Sequence, residues 1–515
     1  MRGRGLRAAI VAAGIVGVSV SSAHARVAAG QQPLPAGQQP LPRAALATPE
    51  IGHALVAFPA PAKSLHTAVS DPALLVGPDS GAAMAKVAST GATFVLLTID
   101  WANVAPQGST KPAGFNAADP ADPQYSWAAT DEVISAAAAN GLEPIVSVEG
   151  APAWAQQAAP QGVSGPFRPR PADYGVFAAA AARRYSGTIA GLPRVRYWQA
   201  WNEPNVNVFL APQFSGGQPA APQLYRALLN AFAAGIHGAV ADDVVVAGAL
   251  SPFTVRTGPT VTIGPLRFMR EMLCMSKGER PHPTCNNRSS FDIWAFHPYT
   301  SGNAFHHAYN PDDLSLGDLP KARALLNAAA AAGHVLSRHP RELWVTEFSW
   351  DTNPPDPLAF PIRLQARWTS EALYQCWLNG IDLLTWWKLQ DEPYPESSYQ
   401  SGLYFRGATL DLDRPKPTLT AFRFPFVAFP RSSGVLVWGR TPDSSAHTVV
   451  VERKVGSAWV PVRTLAAGHS GLFTSVLSQH WTTGYLRARV GTETSLPFGL
   501  VEPPDRFGDP FGGGG

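Results

Sequence analysis

Between about residue 49 and residue 427 the chain alternates two textures, and this alternation limits its architecture more than any other feature. Short β-branched or apolar runs stand at 54–58, 94–99, 144–148, 195–200, 244–248, 293–296, 343–346 and 383–386. Alanine-rich segments of helical character lie between them, at 130–140, 173–185, 223–237, 320–332 and 362–378. Three of these run into Gly141, Ser186-Gly187 or Asn379-Gly380, and glycine and asparagine tolerate the left-handed turn that stops a helix. Runs such as "FVLLTI" are apolar throughout, as strands covered on both faces should be. Eight strands, each followed by a crossover, predict an α/β fold closed into a parallel (β/α)8 barrel. A doubly wound open sheet is the alternative.

From about Pro430 the texture changes. "GVLVWGRT", "HTVVVERKV", "AWVPVRTL", "GLFTSVL" and "GYLRARV" are short alternating runs separated by turns, the pattern of a small all-β sandwich. The chain has 515 residues, and one barrel takes about 250, often more with insertions, so a large domain followed by a small one accounts for the length. The expected organisation is a signal peptide at 1–25, a linker at 26–48, the catalytic barrel at 49–427, the sandwich at 428–503 and a disordered tail at 504–515.

The signal peptide is read from Arg2, Arg4 and Arg7 before an apolar run from Ala8 to Val20, with small residues around Ala23-His24-Ala25 where cleavage would fall. That run is too short to span a bilayer comfortably, so secretion is expected, with no membrane span after cleavage. The linker contains "GQQPLPAGQQPLP", a repeated Pro/Gln-rich unit without helical or strand period. An oxidising compartment suits the three cysteines. Cys274 and Cys285 flank a Gly- and Pro-containing stretch and are candidates for a loop-closing disulfide, whereas Cys376 lies in a helical run and reads as a small packing residue. Charged residues make up 15% of the chain and the net charge is +3 without a concentrated basic face, so nucleic acid is a poor partner. A monomer is expected.

In a parallel barrel the chemistry collects where strands end and βα loops begin. The second run ends in Asp100-Trp101, and the third in Glu149 with Trp154 soon after. The fourth ends in Trp201-Asn202-Glu203-Pro204, the sixth in His297-Pro298-Tyr299 and the seventh in Glu347-Phe348-Ser349-Trp350. The eighth ends in Trp386-Trp387-Lys388, with Asp391 and Glu392 beyond. No Gly-rich phosphate cradle and no metal-ligand spacing accompany them, so neither cofactor nor metal is expected. Carboxylates, aromatics, an amide and an imidazole on one rim fit a carbohydrate substrate: indole faces pack on the C–H face of a sugar ring, and carboxylates bind hydroxyls. Cleaving a glycosidic bond by double displacement needs two carboxyl groups about 5–5.5 Å apart, one acid/base and one nucleophile. Glu203 and Glu347 end the fourth and seventh strands, which face one another across a barrel.

"WNEPN" after one strand, "HPY" two strands later and "WVTEFSW" one strand further resemble clan A glycoside hydrolases. These are retaining enzymes of the TIM-barrel cellulase/xylosidase-like superfamily, and families 5 and 39 are the nearest in pattern. The resemblance runs from about Ile51 to Val427 and takes in "APAWA" and "RPKPTLTAF". It implies that Glu203 is the acid/base, that Glu347 is the nucleophile and that Asn202 binds the 2-hydroxyl of the sugar at the cleavage point. It further implies that Tyr299 bonds the nucleophile, that His297 lines the same pocket, and that Trp386 or Trp387 forms the floor. Trp101 and Trp154 are further candidates for packing on sugar. Asp100, Glu149, Asp391 and Glu392 are candidates for subsites or for structural roles. One departure is visible: the family often has an Arg on strand two, where this chain has Leu96 and Leu97. The rival readings are a non-catalytic sugar-binding protein on the same barrel, which would have lost one of the carboxylates, and an adhesion protein whose sandwich does the work.

Overall fold

The computed structural model describes residues 62–503 apart from 78, 256–259 and 398. The signal peptide, the linker, the run at 54–58 and the tail lie outside the described residues.

Eight strands close into a barrel. They are β1 (His66–Ser70), β2 (Phe94–Asp100), β3 (Glu143–Glu149), β4 (Tyr197–Ala200), β5 (Val244–Leu250), β6 (Ile293–Phe296), β7 (Glu342–Phe348) and β8 (Leu383–Trp387). Each pairs in parallel with the next, and β8 pairs with β1 from His66↔Leu383 to Ser70↔Trp387, which shuts the barrel and rules out the open sheet. Seven of the strands fall on the apolar runs of the sequence. The first does not: "HTAVS" opens with a histidine and a threonine, too polar to stand out, yet its last four residues are buried. The principal helices outside the barrel are α1 (Ser80–Ser89), α2 (Ala128–Ala139), α3 (Pro171–Arg184), α4 (Ala221–Ala239), α5 (Pro265–Leu273), α6 (Leu319–Ala331), α7 (Ile362–Leu378) and α8 (Pro417–Arg423). They cover the strands, so β5 and β6 are buried along their whole length.

Alternation along the strands fills the inside of the barrel in layers. Phe94, Tyr197 and Trp344, at or near the starts of β2, β4 and β7, meet edge-to-face or tilted at centroid distances of 5.3–6.2 Å and plug the N-terminal end. Leu96 lies in the same interior cluster as Ile145, Val246 and Ala295, so this strand-two position is apolar core. Nearer the mouth the layer turns polar: the Gln199 amide donates to Ser147 Oγ at 3.0 Å and to the Trp201 carbonyl at 3.2 Å.

Antiparallel sheets follow, from β9 (Phe426–Arg431), β10 (Gly434–Arg440), β11 (Thr448–Val455), β12 (Ala458–Ala466), β13 (Leu472–Leu477) and β14 (Tyr485–Val490). One sheet runs β9-β10-β13 and the other includes β12-β11-β14, a two-sheet arrangement of sandwich type. These sheets share one hydrophobic core with the barrel helices. Trp438 of β10 packs edge-on to Tyr374 and tilted against Trp377 of α7, each at a centroid distance of 5.6 Å. Cys274 caps α5 and forms a disulfide with Cys285, while Cys376 is buried in α7 as a free thiol.

Candidate active site

The "WNEPN" stretch leaves β4 through two residues in the left-handed backbone region, Trp201 at φ 71° and Glu203 at φ 39°. Side-chain-bearing residues reach this region only at a cost, so the surroundings must hold them there. Three backbone bonds do so: Trp201 N–H to the Val148 carbonyl at 2.9 Å, Glu203 N–H to the Ala249 carbonyl at 3.0 Å, and Val206 N–H to the Glu203 carbonyl at 2.9 Å. The Trp201 indole N–H is spent on the Phe209 carbonyl at 2.8 Å. Asn205 clamps this loop to the next one: its amide donates to the Ser251 and Ile263 carbonyls and its oxygen accepts from Ser251 N–H, all at 2.9 Å. Asn202, half-buried, precedes Glu203 on the same turn.

Two tyrosines support the strand ends from outside. Tyr174 of α3 donates to the Val148 carbonyl at 2.6 Å. Tyr225 of α4 donates to the Ala200 carbonyl and accepts from Gly248 N–H, both at 2.8 Å. The approach is close, since a Cβ at Gly248 (φ 90°) would sit 2.5 Å from the Ala295 carbonyl. Neither tyrosine stood out in the sequence. Each sits on a helix among apolar residues, and only the closed barrel brings its hydroxyl to the carbonyls at the strand ends.

On the opposite side, β7 is irregular. Its register against β8 shifts between Val345 and Phe348. Trp344 packs inside the barrel, and strict alternation from it would send the Glu347 side chain outward; the bulge interrupts that alternation, and Glu347 turns to the mouth. There the Tyr299 hydroxyl donates to Glu347 Oε1 at 2.7 Å. His297 Nδ1 stands 3.0 Å from Glu203 Oε1 and 3.7 Å from Glu347 Oε2. Ligand atoms of Glu203, His297 and Glu347 lie within 4.8 Å of one another. Glu203 and His297 are buried, and the Glu347 side chain keeps 15% of its surface exposed.

The electrostatics follow from this crowding. Burial alone would pull the His297 pKa down, but the charges of Glu347 and Glu203 and the bond to Glu203 outweigh it and hold the imidazole above its ordinary value. Burial pushes the Tyr299 hydroxyl well up, so it remains a donor. The half-buried Glu149, at the end of β3, is raised to about 8, first by burial and then by the charges of Asp100, Glu347 and Glu203. The trio of Glu203, His297 and Glu347 offers donor atoms a divalent cation could share. The raised pKa of His297 makes the imidazole a poorer metal ligand, since a proton competes with an ion for its nitrogen.

The other candidates divide. Trp387 is half-buried at the end of β8, with Lys388 Nζ 5.9 Å from its ring centre. Trp386 is fully buried, edge-on to Phe348 and Phe422, and its N–H bonds the Ser401 carbonyl at 2.8 Å; it belongs to the core. The expectation of sugar contact also fails for Trp101 and Trp154. Trp101 stacks on Phe177 at 5.5 Å and is buried. Trp154 is edge-on to Trp101 and Phe115, with Lys111 Nζ 5.2 Å from its ring centre. Asp100 caps the turn after β2, accepting from Ala102 N–H at 2.8 Å and the Asn103 amide at 3.0 Å. Asp391 is ion-paired to buried Lys416 at 2.6 Å and Glu392 to Lys388, both structural arrangements.

What the fold and mouth define is an α/β barrel with a carboxylate pair, an imidazole and a phenol at the C-terminal ends of its strands. No family model and no curated protein matches the chain. Among solved structures it is similar to a glucosidase from Croceicoccus marinus, with TM-score 0.46 and 13% identity over 82% of this chain and 95% of that one. It is also similar to a GH30 endoxylanase from Clostridium papyrosolvens C71, with TM-score 0.44 and 12% identity over 82% and 95%. A further likeness is to fungal β-1,4-galactanases, with TM-score 0.41 and 16% identity over 69% and 98%.

Proposed function

We propose that this chain is a secreted retaining glycoside hydrolase that cleaves O-glycosidic bonds of oligo- or polysaccharides by double displacement. The observation that carries the reading is the meeting of Glu203 and Glu347, from opposite sides of the barrel, with carboxylate oxygens within 4.8 Å of one another. A separation of this order is nearer the roughly 5–5.5 Å of double displacement than the roughly 6.5–9.5 Å that a water-using inversion needs, which supports direct attack by one carboxylate. Secretion rests on the N-terminal basic and apolar run alone.

In the first step a Glu347 oxygen attacks the anomeric carbon as the bond to the leaving oxygen breaks, and Glu203 gives that oxygen its proton. Tyr299 holds the other Glu347 oxygen, which aims the nucleophile. In the second step water attacks the same carbon, Glu203 takes the water's proton and Glu347 leaves. His297, bonded to Glu203 and close to Glu347, offsets part of the negative charge of the pair through both steps. Trp387 supplies the apolar floor and Asn202 a donor next to Glu203.

A panel of aryl glycosides tests the activity, and a 2-fluoro glycoside with a good leaving group tests the mechanism. The expected result is turnover of at least one aryl glycoside and a glycosyl mass increment on the peptide containing Glu347. A label on another residue, or no turnover across the panel, removes this reading.

A further inference from the structure

Alternation along β3 brings a third glutamate to the mouth. Ile145 packs inside the barrel with Leu96, Val246 and Ala295, whereas Val146 and Val148 belong to the core shared with the helices. Ser147, two residues beyond Ile145, takes the Gln199 amide in the polar layer above. Glu149 is the next residue of that inward row. The pairing of β3 with β2 runs without a shift from Phe94↔Glu143 to Asp100↔Glu149, so the side chain stays in the row. On the other flank β3 pairs with β4 from Ile145↔Tyr197 to Val148↔Ala200, and Trp201 N–H bonds the Val148 carbonyl. Glu149 therefore ends its strand beside the turn that carries Glu203, and the charges of Glu203 and Glu347 both reach it.

Among the described residues the Glu149 carboxyl makes no hydrogen bond and no ion pair. The groups around it are committed elsewhere. Asp100 of β2 accepts from Ala102 N–H and the Asn103 amide, and the Tyr174 hydroxyl of α3 donates to the Val148 carbonyl. His297 of the loop after β6 serves Glu203 and Glu347. The charges that reach Glu149, from Asp100, Glu347 and Glu203, all have its own sign. Burial and these charges keep the proton on it up to about pH 8. A protonated carboxyl donates a hydrogen bond as well as accepting one, and a carboxylate only accepts. Water satisfies such a half-buried donor while the mouth is open. A sugar that fills the mouth displaces that water and has to replace its bond.

We propose that Glu149 is a third substrate-binding carboxyl of this site, donating a hydrogen bond to a hydroxyl of the sugar bound between Glu203 and Glu347. This rests on the glycosidase reading and deepens it. Glu149 takes no part in bond making or breaking. It selects a sugar that carries an oxygen at that place and fixes the ring against the two reacting carboxyl groups.

The test is kcat/KM of the full chain on the aryl glycoside that the panel turns over and on its monodeoxy forms. Loss of one particular hydroxyl should cost the parent about 10-fold, and Glu149→Ala much less, because the variant has already lost the partner. Glu149→Gln places an N–H donor where the carboxyl stood and should recover most of what Glu149→Ala loses. The ratio of parent to Glu149→Gln should then fall as pH rises through about 8, because ionisation takes the donor from the parent alone. A Glu149 that only supports the fold would leave this ratio level. The proposal is overturned if every deoxy form loses equally in parent and Glu149→Ala. It is overturned too if the ratio stays level or rises with pH, a rise meaning that the ionised carboxylate does the binding. Should Glu149→Ala fail to fold, the pH dependence of the Glu149→Gln ratio decides alone. A parent inactive across the whole panel removes the glycosidase reading and this inference with it. An active parent matched by its variants at every pH removes this inference alone.

Discussion

The His297 imidazole nitrogen lies 3.0 Å from Glu203 and 3.7 Å from Glu347, so one ring faces both carboxylates. The pKa of His297 is raised in the folded chain, where carboxylate charge outweighs burial. A raised pKa means that the folded state holds the proton more tightly than the unfolded one. The stabilisation is full below the ordinary imidazole value of about 6.5 and is lost as pH rises through the folded value. Urea unfolding from pH 5.5 to 8.5 should show stability falling across that window. His297→Asn should flatten the fall, and an unchanged slope in the variant would assign it to other groups.

Glu149 predicts a second slope of the same sign. Its folded pKa is pushed up to about 8 by burial and by neighbouring carboxylates, so ionising it costs more in the folded chain than in the unfolded one. Stability therefore declines from about pH 4.5 to pH 8. Glu149→Gln keeps the shape and removes the charge. It should raise stability at pH 8 by about 1–3 kcal/mol, a figure reduced from the full shift because the side chain is half-buried and partly screened. At pH 4.5 the variant and the parent should unfold at the same urea concentration.

The two glutamates should fail in different ways. Glu347→Ala removes the attacking oxygen and should lower kcat by roughly 10⁴–10⁶-fold. Azide entering the space left by Glu347 attacks from that face and gives a glycosyl azide of inverted configuration. Glu203→Ala should lose about 10²–10⁴-fold, less with leaving groups that need no proton. The glycosyl-enzyme still forms in that variant, so azide gives a product of retained configuration. Product stereochemistry by NMR checks the assignment; the opposite pairing of variant and configuration would exchange the two roles.

Much of this was legible in the sequence, and the rest was hidden for physical reasons. Seven barrel strands announce themselves because strands buried on both faces must be apolar, whereas "HTAVS" places its burial under short polar side chains. Residue types at the strand ends follow from chain order. Their aim does not: the bulge that turns Glu347 inward and the left-handed backbone at Trp201 and Glu203 depend on partners far along the chain. Tryptophan was the least legible. Trp101, Trp154 and Trp386 occur at strand ends as a sugar platform would, yet each is closed off by aromatic neighbours from other elements.

That contrast separates two adjacent indoles. Trp386→Ala opens a cavity in the core and should cost about 3–5 kcal/mol of stability. Trp387→Ala removes a half-buried ring, the proposed floor of the sugar site. It should lower kcat/KM about 10-fold or more while costing less than about 2 kcal/mol. Thermal unfolding and aryl glycoside kinetics on both variants separate the two roles, and similar losses in both assays for both variants would remove the distinction.

Arg440 links the antiparallel sheets to the barrel, and its replacement tests whether they unfold together. The side chain is fully buried in β10, with Nη1 donating to the Leu65 carbonyl just before β1 at 2.8 Å and Nη2 to the Phe422 carbonyl of α8 at 3.1 Å. Burial alone lowers its pKa, to about 10. Desolvating a guanidinium is costly, so the net worth of the group is less than its bonds suggest. Arg440→Met keeps the volume, loses both donors and should cost about 1–2 kcal/mol, whereas Arg440→Ala adds a cavity and should cost about 2–4 kcal/mol. Because Trp438 packs between the sheets and Tyr374 and Trp377 of α7, loss of this contact should loosen both parts at once. Unfolding followed by tryptophan fluorescence and by far-UV circular dichroism should give coincident single transitions in parent and variants. Two separated transitions would mean that the sheets fold independently and that Arg440 fastens two finished units rather than completing one core.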